Sequence, residues 1–235
     1  MKRIISIVLA VLLLFAVSGC KKERSKTSYD GVKVQDGCYF DEDGIMHVDT
    51  AKLDYTAGSS IKWSYDDETN TLLFEGKGEL SDIKNFAPYK TFAEKIVIGE
   101  GITSVVNSAF DGFSGVSELS IAPSVESIGA KAFRGLMIKE VNLPVRLSYL
   151  GKNAFADCGL LESVTVPKND GLYEIKDGVF RNCDQLKMAI IPPTITYISP
   201  TAFENCTNLA IYASEDSFAH DYALTEGIFF QNYSF

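Results

Sequence analysis

The chain has 235 residues, of which 46% are apolar and 11% aromatic. This composition indicates a chain with a hydrophobic core and excludes a predominantly disordered protein. The formal net charge of −9 disfavours nucleic acid as a partner, because binding to a phosphate backbone requires a surface rich in lysine and arginine.

The first twenty residues are typical of a processing segment, not of a folded domain. Lys2 and Arg3 precede an apolar run over residues 4–17, which is short for a membrane-spanning helix. The run leads into small residues directly before Cys20, an arrangement that resembles the bacterial lipobox. We therefore predict a lipoprotein signal peptide at residues 1–19 and lipid attachment at Cys20, which would anchor the chain to a membrane. The alternative is an ordinary signal peptide with a chance cysteine.

The segment that follows Cys20 is polar and then β-rich. Residues 20–31 are unpatterned and suit a lipid-anchored tether. Residues 32–94 are expected to form an N-terminal β-rich cap region. Within this region, Val32–Phe40 and Ile45–Tyr55 are candidates to pair across an Asp-Glu-Asp-Gly turn, as a hairpin that extends the cap.

Residues 95–209 contain an internal repeat of about five units. Ala-Phe or Val-Phe pairs recur at steps of 22 to 25 residues, and their phenylalanines are Phe110, Phe133, Phe155, Phe180 and Phe203. Three positions after each phenylalanine lies a second apolar column, which holds Phe113, Leu136, Cys158, Cys183 and Cys206. A single unit of this length cannot bury enough apolar surface to offset its ordering entropy, so the units are expected to stack into one solenoid core.

The three cysteines of this second column are expected to be buried free thiols that act as small apolar side chains. Stacked coils lie close enough for a disulfide, but side chains that project in parallel rarely reach the required torsion. A bridge between coils is the alternative. The pairing of Cys38 is left open.

The pattern resembles the BspA-type leucine-rich repeats of bacterial surface proteins. The unit of that family reads approximately L-x-x-I-x-I-P-x-x-V-x-x-I-G-x-x-A-F-x-x-C-x-x-L, and two stretches that end at Cys183 and Leu209 match it closely. The first two units depart from it by one-residue length changes before Leu119 and Val141, so their local strand register is left open. The resemblance implies a predominantly β, right-handed leucine-rich-repeat solenoid with short irregular or helical segments.

The resemblance extends to both ends of the repeat. Residues 61–82 resemble the β-hairpin cap that precedes the first coil in this family. Residues 210–235 resemble its closing cap, with a short helix near Phe218–Leu224 that leads into a strand at residues 228–230. Such caps are needed because an open solenoid end would expose core side chains and strand edges.

The sequence shows no constellation typical of catalysis, metal binding or cofactor binding. His47 and His220 are far apart and belong to different caps, which disfavours a Cys–His pair or a zinc site. The aspartates of residues 41–49 lack the spacing of a calcium loop. Gly76 and Gly78 lack the strand–loop–helix context of a nucleotide site. We therefore predict a non-enzymatic protein with no cofactor and no metal.

The remaining functional candidates are exposed side chains. On the strands before the prolines, exposed positions are polar in the early units, whereas Met188 and Ile190 occupy them in the last unit. A second exposed column holds Tyr149 and Tyr197, with Tyr173 adjacent. Tyrosine and methionine are enriched at interfaces, so these five residues are predicted to bind a partner. A harmless apolar surface is the alternative.

Because a solenoid offers an extended surface, function must reside in the side chains that it displays. We predict a non-catalytic cell-envelope lipoprotein, on the extracytoplasmic side of a membrane, that binds a protein or glycan partner. The resemblance implies adhesion or host interaction for some relatives. The alternative is an envelope scaffold or assembly factor that engages a partner from the same cell, and the sequence does not separate the two.

Overall fold

A computed structural model describes residues 38–40, 46–48, 57, 60–81 and 86–235. The predicted signal peptide, Cys20 and the tether lie outside these residues. The chain divides into two compact units, Met1–Asp54 and Tyr55–Phe235. In the first unit, β1 (Cys38–Phe40) and β2 (Met46–Val48) form an antiparallel pair, in line with the predicted hairpin.

The second unit begins with an antiparallel hairpin of β3 (Ile61–Asp66) and β4 (Thr71–Gly76). A short strand, β5 (Gly78–Leu80), and a 3₁₀ helix, Ala87–Thr91, follow. No helix in the described ranges is long and apolar enough to cross a membrane.

Five coils follow, and each contributes two short strands. The first strands are β6 (Lys95–Ile98), β8 (Glu118–Ile121), β10 (Glu140–Asn142), β12 (Ser163–Thr165) and β14 (Met188–Ile190). The second strands are β7 (Ile102–Val105), β9 (Ser127–Ile128), β11 (Tyr149–Leu150), β13 (Glu174–Ile175) and β15 (Tyr197–Ile198). Strands of successive coils pair in parallel, which produces one column of first strands and one column of second strands. Both columns begin before the first coil, where β4 pairs with β6 and β5 with β7.

The repeated phenylalanines form a continuous aromatic ladder inside the solenoid, as the sequence predicted. From Phe110 to Phe203, ring centroids of neighbouring coils are 5.2 to 5.8 Å apart, and the ring planes are within 19° of parallel. Phe86 stacks on Phe110 at one end, at 5.4 Å, and Tyr222 packs on Phe203 at the other, at 6.3 Å. Phe86 and Tyr222 therefore extend the ladder at its two ends, although neither residue belongs to one of the five coils.

The turn after each phenylalanine explains a further column of the sequence. The residue two positions after each phenylalanine has a left-handed backbone with φ between 59° and 77°, and these residues are Gly112, Gly135, Asp157, Asn182 and Asn205. Glycine, asparagine and aspartate adopt this conformation with the smallest steric penalty. The later side chains also join the coils, because Asn205 donates to Asn182 and Asn182 donates to Asp157, both at 2.7 Å.

Cys158, Cys183 and Cys206 are buried and free, which confirms the predicted thiols. Each thiol donates to the carbonyl oxygen of the ladder phenylalanine in the preceding coil, at 3.1 to 3.3 Å. Cysteine is small enough for this position and satisfies an oxygen that leucine would leave without that donor. Burial raises the pKa of the Cys158 thiol to about 12.

Each strand column is interrupted once. In the first column β8 and β10 are not paired, and in the second column β11 and β13 are not paired. The first interruption agrees with the length change noted before Val141. The length change noted before Leu119 has no such effect, because Leu119 pairs in regular register with Ile96.

The C-terminal end consists of β16 (Ala210–Ala213), α1 (Phe218–Glu226) and β17 (Phe229–Asn232). β16 pairs with both β14 and β17, so the first strand column continues beyond the last coil. The Ser217 hydroxyl accepts a hydrogen bond from the His220 backbone N–H and caps α1, and Gly227 ends it with a φ of 68°.

Candidate interaction surface

Three of the predicted binding residues form an exposed tyrosine face on the second strand column. The exposed fractions are 44% for Tyr149, 57% for Tyr173 and 46% for Tyr197. Tyr149 is an outward residue of β11, and Tyr197 lies on β15 beside Glu174 of β13. The coil that contains Glu174 lies between the coils of Tyr149 and Tyr197. The role of these residues in binding stays a prediction.

Two further side chains complete this tyrosine face. The Lys176 ammonium lies 4.0 Å from the centre of the Tyr149 ring and 3.2 Å from a Glu174 carboxylate oxygen. The Phe218 ring of α1 is 39% exposed, and its centroid is 6.2 Å from that of Tyr197. The sequence analysis missed both residues, because only the structure shows that α1 and the Lys176 side chain reach this column.

An ionic cluster borders the tyrosine face. Lys152 Nζ lies 2.7 Å from Asp177 Oδ2, and Ser199 Oγ donates to Asp177 Oδ1 at 2.7 Å. The hydrogen bond from Lys152, followed by that from Ser199, lowers the pKa of the Asp177 carboxyl. The hydrogen bond to Asp177 likewise raises the pKa of Lys152. Both groups therefore remain charged at neutral pH and add polar contacts beside the rings.

Met188 and Ile190 are placed differently from the sequence expectation. Both lie on the outward side of β14, but each is half-buried instead of exposed. The reason is that the sheet continues, with Met188 beside Ala210 and Ile190 beside Tyr212 of β16. The structure does not bring this pair together with the tyrosines, which lie on the other strand column.

The described residues contain no group of three His, Cys, Asp or Glu side chains arranged to hold a metal ion. The His220 ring stacks on Phe230, with 4.2 Å between ring centroids. The side chain of His47 lies outside the described part of the structure. The tyrosine face presents flat rings, one ammonium over a ring and the carboxylates of Glu174 and Asp177.

A search of protein families identifies the repeat. The model of the BspA type leucine rich repeat region matches residues 81–210 in six copies. The chain belongs to this family. The match includes residues before Lys95 and therefore part of the predicted cap region. It confirms the resemblance that the repeat columns indicated.

Solved structures show that this BspA-type chain shares its fold with longer bacterial proteins. A leucine-rich repeat protein from Eubacterium ventriosum is 24% identical over 69% of this chain and 44% of its own, with a TM-score of 0.59. A leucine rich cell surface protein from Faecalibacterium prausnitzii is 24% identical over 73% of this chain and 42% of its own, with a TM-score of 0.56. The pneumococcal vaccine antigen PcpA is 19% identical over 73% of this chain and 42% of its own, with a TM-score of 0.57. The chain spans less than half the length of each of these proteins. No curated protein matches the sequence.

Proposed function

We propose that this BspA-type chain is a non-catalytic lipoprotein of the bacterial cell envelope that binds a protein or glycan partner on the extracytoplasmic side. The observation that carries the proposal is the tyrosine face, where Tyr149, Tyr173, Tyr197 and Phe218 expose aromatic rings within neighbouring coils and the cap. Tyrosine provides large contact area at a low entropic cost and is frequent among hot-spot residues.

The surroundings of the rings favour a binding role over a chance apolar patch. Lys176 lies over the Tyr149 ring at 4.0 Å and holds it by a cation–π contact. Tyr197 is supported by Phe218. Rings that are held in place lose less entropy when a partner binds. One structural neighbour, from Faecalibacterium prausnitzii, is a leucine rich cell surface protein, which supports the location.

The binding proposal is tested with a double variant, Tyr149→Ser with Tyr197→Ser. Purified wild type and variant are compared for retention of extracellular-matrix proteins and of a glycan array. We expect at least about tenfold weaker retention, because two hot-spot rings are lost. The matched control is Leu224→Ser with Tyr233→Ser, which removes apolar residues of 65% and 39% exposure elsewhere on the surface. Equal retention by all three proteins, with unchanged thermal melts, would place the binding surface elsewhere.

The second double variant, Met188→Glu with Ile190→Lys, tests the other predicted pair. Both side chains are half-buried against the extended sheet, so this change is expected to lower the melting temperature. A loss of retention with an unchanged melt would instead assign binding to β14. Surface labelling of intact cells separates adhesion from an envelope scaffold role, because only an outward-facing protein becomes labelled.

A further inference from the structure

The interruption between β8 and β10 leaves the edges of two strands unpaired in the middle of the solenoid. No hydrogen bond joins these strands, although both pair normally on their other edges. Backbone groups of successive strand residues point to opposite neighbours. Because Glu118 N–H donates to the coil before it, Leu119 and Ile121 direct their groups toward β10. By the same alternation, Glu140 and Asn142 direct theirs toward β8.

A one-residue shortening of the preceding turn accompanies this interruption. In four units, a buried apolar residue lies three positions after the member of the column that holds Phe113 and the cysteines. These residues are Val116, Leu161, Leu186 and Leu209. After Leu136 the buried apolar residue follows by only two, at Ile138. The shorter turn gives Met137 N–H a bond to Val116 O at 2.8 Å. In the next coil, Glu162 and Ser163 both donate to Lys139 O, a pairing that β10 does not repeat with β8.

The gap opens the solenoid surface into a cleft of about 890 Å³. Leu119 lines the cleft and is half-buried, whereas the equivalent Val164 is 0% exposed. Met137 and Leu160 add apolar walls, at 40% and 39% exposure. The volume falls within the range of ligand sites. The cleft thus combines an apolar floor with unpaired backbone donors and acceptors.

The charges along the cleft are only partly paired. Lys95 lies 2.8 Å from Glu118, and Lys187 lies 3.0 Å from Glu162. Lys139 and Glu140 also line the cleft, but neither forms an ion pair or a side-chain hydrogen bond within the described residues. One free ammonium and one free carboxylate are therefore available to a ligand that carries both signs of charge.

In the second strand column, a side chain fills the break between β11 and β13. Irregular spacing therefore does not by itself leave unpaired strand edges. Asn169 fills the break between β11 and β13: its Nδ2 donates to Val145 O at 2.9 Å and to Leu147 O at 3.0 Å. Its Oδ1 accepts from Gly171 N–H at 3.0 Å and from Leu172 N–H at 2.8 Å. No side chain plays this role between β8 and β10, which are fully described.

We propose that the cleft between β8 and β10 binds an extended polypeptide segment of a partner protein, which enters as an additional β-strand. Strand addition satisfies alternating backbone donors and acceptors, and side-chain contacts then give specificity. The free Lys139 and Glu140 suit a peptide with an acidic and a basic residue. This site is separate from the tyrosine face and does not depend on the function proposed for that face.

Hydrogen–deuterium exchange of the full-length protein tests whether the edges are unpaired. The amides of Leu119, Ile121, Glu140 and Asn142 are expected to exchange at least about tenfold faster than those of Val166 and Ser163, whose bonds to neighbouring coils are intact. Equal protection at both sets of amides would overturn the proposal.

Binding is tested with two blocked peptides that copy residues 93–100 and 161–168. Their sequences form β6 and β12, which already pair with the other edges of β8 and β10. At least one peptide is expected to bind and to slow exchange at the four cleft amides. Methylation of alternate peptide nitrogens should weaken binding at least about tenfold, because it removes the donors of the new ladder. Lack of binding by both peptides, or binding without protection of these amides, would overturn the proposal.

Two variants connect binding to the cleft. Insertion of one serine between Leu136 and Met137 restores the three-residue spacing and should protect the cleft amides and abolish peptide binding. If that variant does not fold, Lys139→Gln with Glu140→Gln provides the test, with an expected loss of roughly fivefold. The control is Lys62→Gln with Glu79→Gln, two exposed residues away from the cleft. Peptide binding that the cleft variants leave unchanged would overturn the proposal. Cellohexaose serves as a glycan probe, and its binding in the cleft without binding of either peptide would also overturn the proposal.

Discussion

Replacement of Phe155 by alanine tests the aromatic ladder at its centre. Phe155 is fully buried, and its ring centroid lies 5.2 Å from that of Phe133 and 5.8 Å from that of Phe180. Loss of its burial removes about 1.5–3 kcal/mol of transfer free energy. Loss of two ring contacts removes about 0.5–1.5 kcal/mol for each. We therefore expect a decrease in unfolding free energy of about 3–5 kcal/mol, the range of other buried phenylalanine truncations.

The measurement is a urea titration followed by circular dichroism and by the fluorescence of Trp63. Trp63 is the only tryptophan in the chain and reports on the N-terminal cap, where it packs against Phe86 and Tyr89. Phe229→Ala is the control, because Phe229 is 66% exposed and its loss should change stability by no more than about 0.5 kcal/mol. If Phe155→Ala lowers the unfolding free energy by no more than the control does, the ring of Phe155 does not stabilise the solenoid core and the reasoning is refuted. Non-coincident transitions of the two probes would show that the loss uncouples neighbouring coils.

Three further predictions address the anchor, the thiols and the filled interruption. Cys20→Ala should abolish the lipid mass on the mature N-terminus, and a wild-type mature chain that begins elsewhere would contradict the assignment. Iodoacetamide should label Cys158 and Cys183 only after unfolding, from neutral pH to about pH 9, because both thiols are fully buried and burial raises the pKa of Cys158 to about 12; peptide mapping distinguishes them from the other cysteines. Asn169→Ala should lower stability by about 1–2 kcal/mol, because partly buried backbone groups of Leu147 and Leu172 lose their partners, whereas Asn142→Ala, at an exposed position, should have little effect in the same melts.

The repeat could be predicted from the sequence because its signals are periodic. The phenylalanine and cysteine columns recur with one residue in each unit, and each column becomes one internal row of the solenoid. The left-handed turn residues formed a third periodic signal that the sequence analysis did not use. Gly112, Gly135 and Asp157 are the residue types that tolerate that conformation, so this column was open to prediction.

Features that depend on the ends of the solenoid were harder to predict. The exposure of Met188 and Ile190 was overestimated, because β16 and β17 continue the sheet beyond the last coil. Phe218 joins the tyrosine face because of the orientation of α1, which has no periodic signal. In both cases the decisive contact comes from a non-repeated segment, where alternation of apolar residues gives no information about the neighbour.

The two interruptions show why a length change alone does not predict a site. A two-residue extension between Phe155 and Phe180 and a one-residue deletion after Leu136 each break one strand column. The extension contains Asn169, whose side-chain amide donates to two backbone carbonyls and accepts from two backbone N–H groups. These hydrogen bonds replace those of the missing strand pair. The deletion brings no such residue, and it exposes Leu119 together with unpaired backbone groups. A cleft therefore arises where the spacing changes and no side chain compensates for the lost hydrogen bonds.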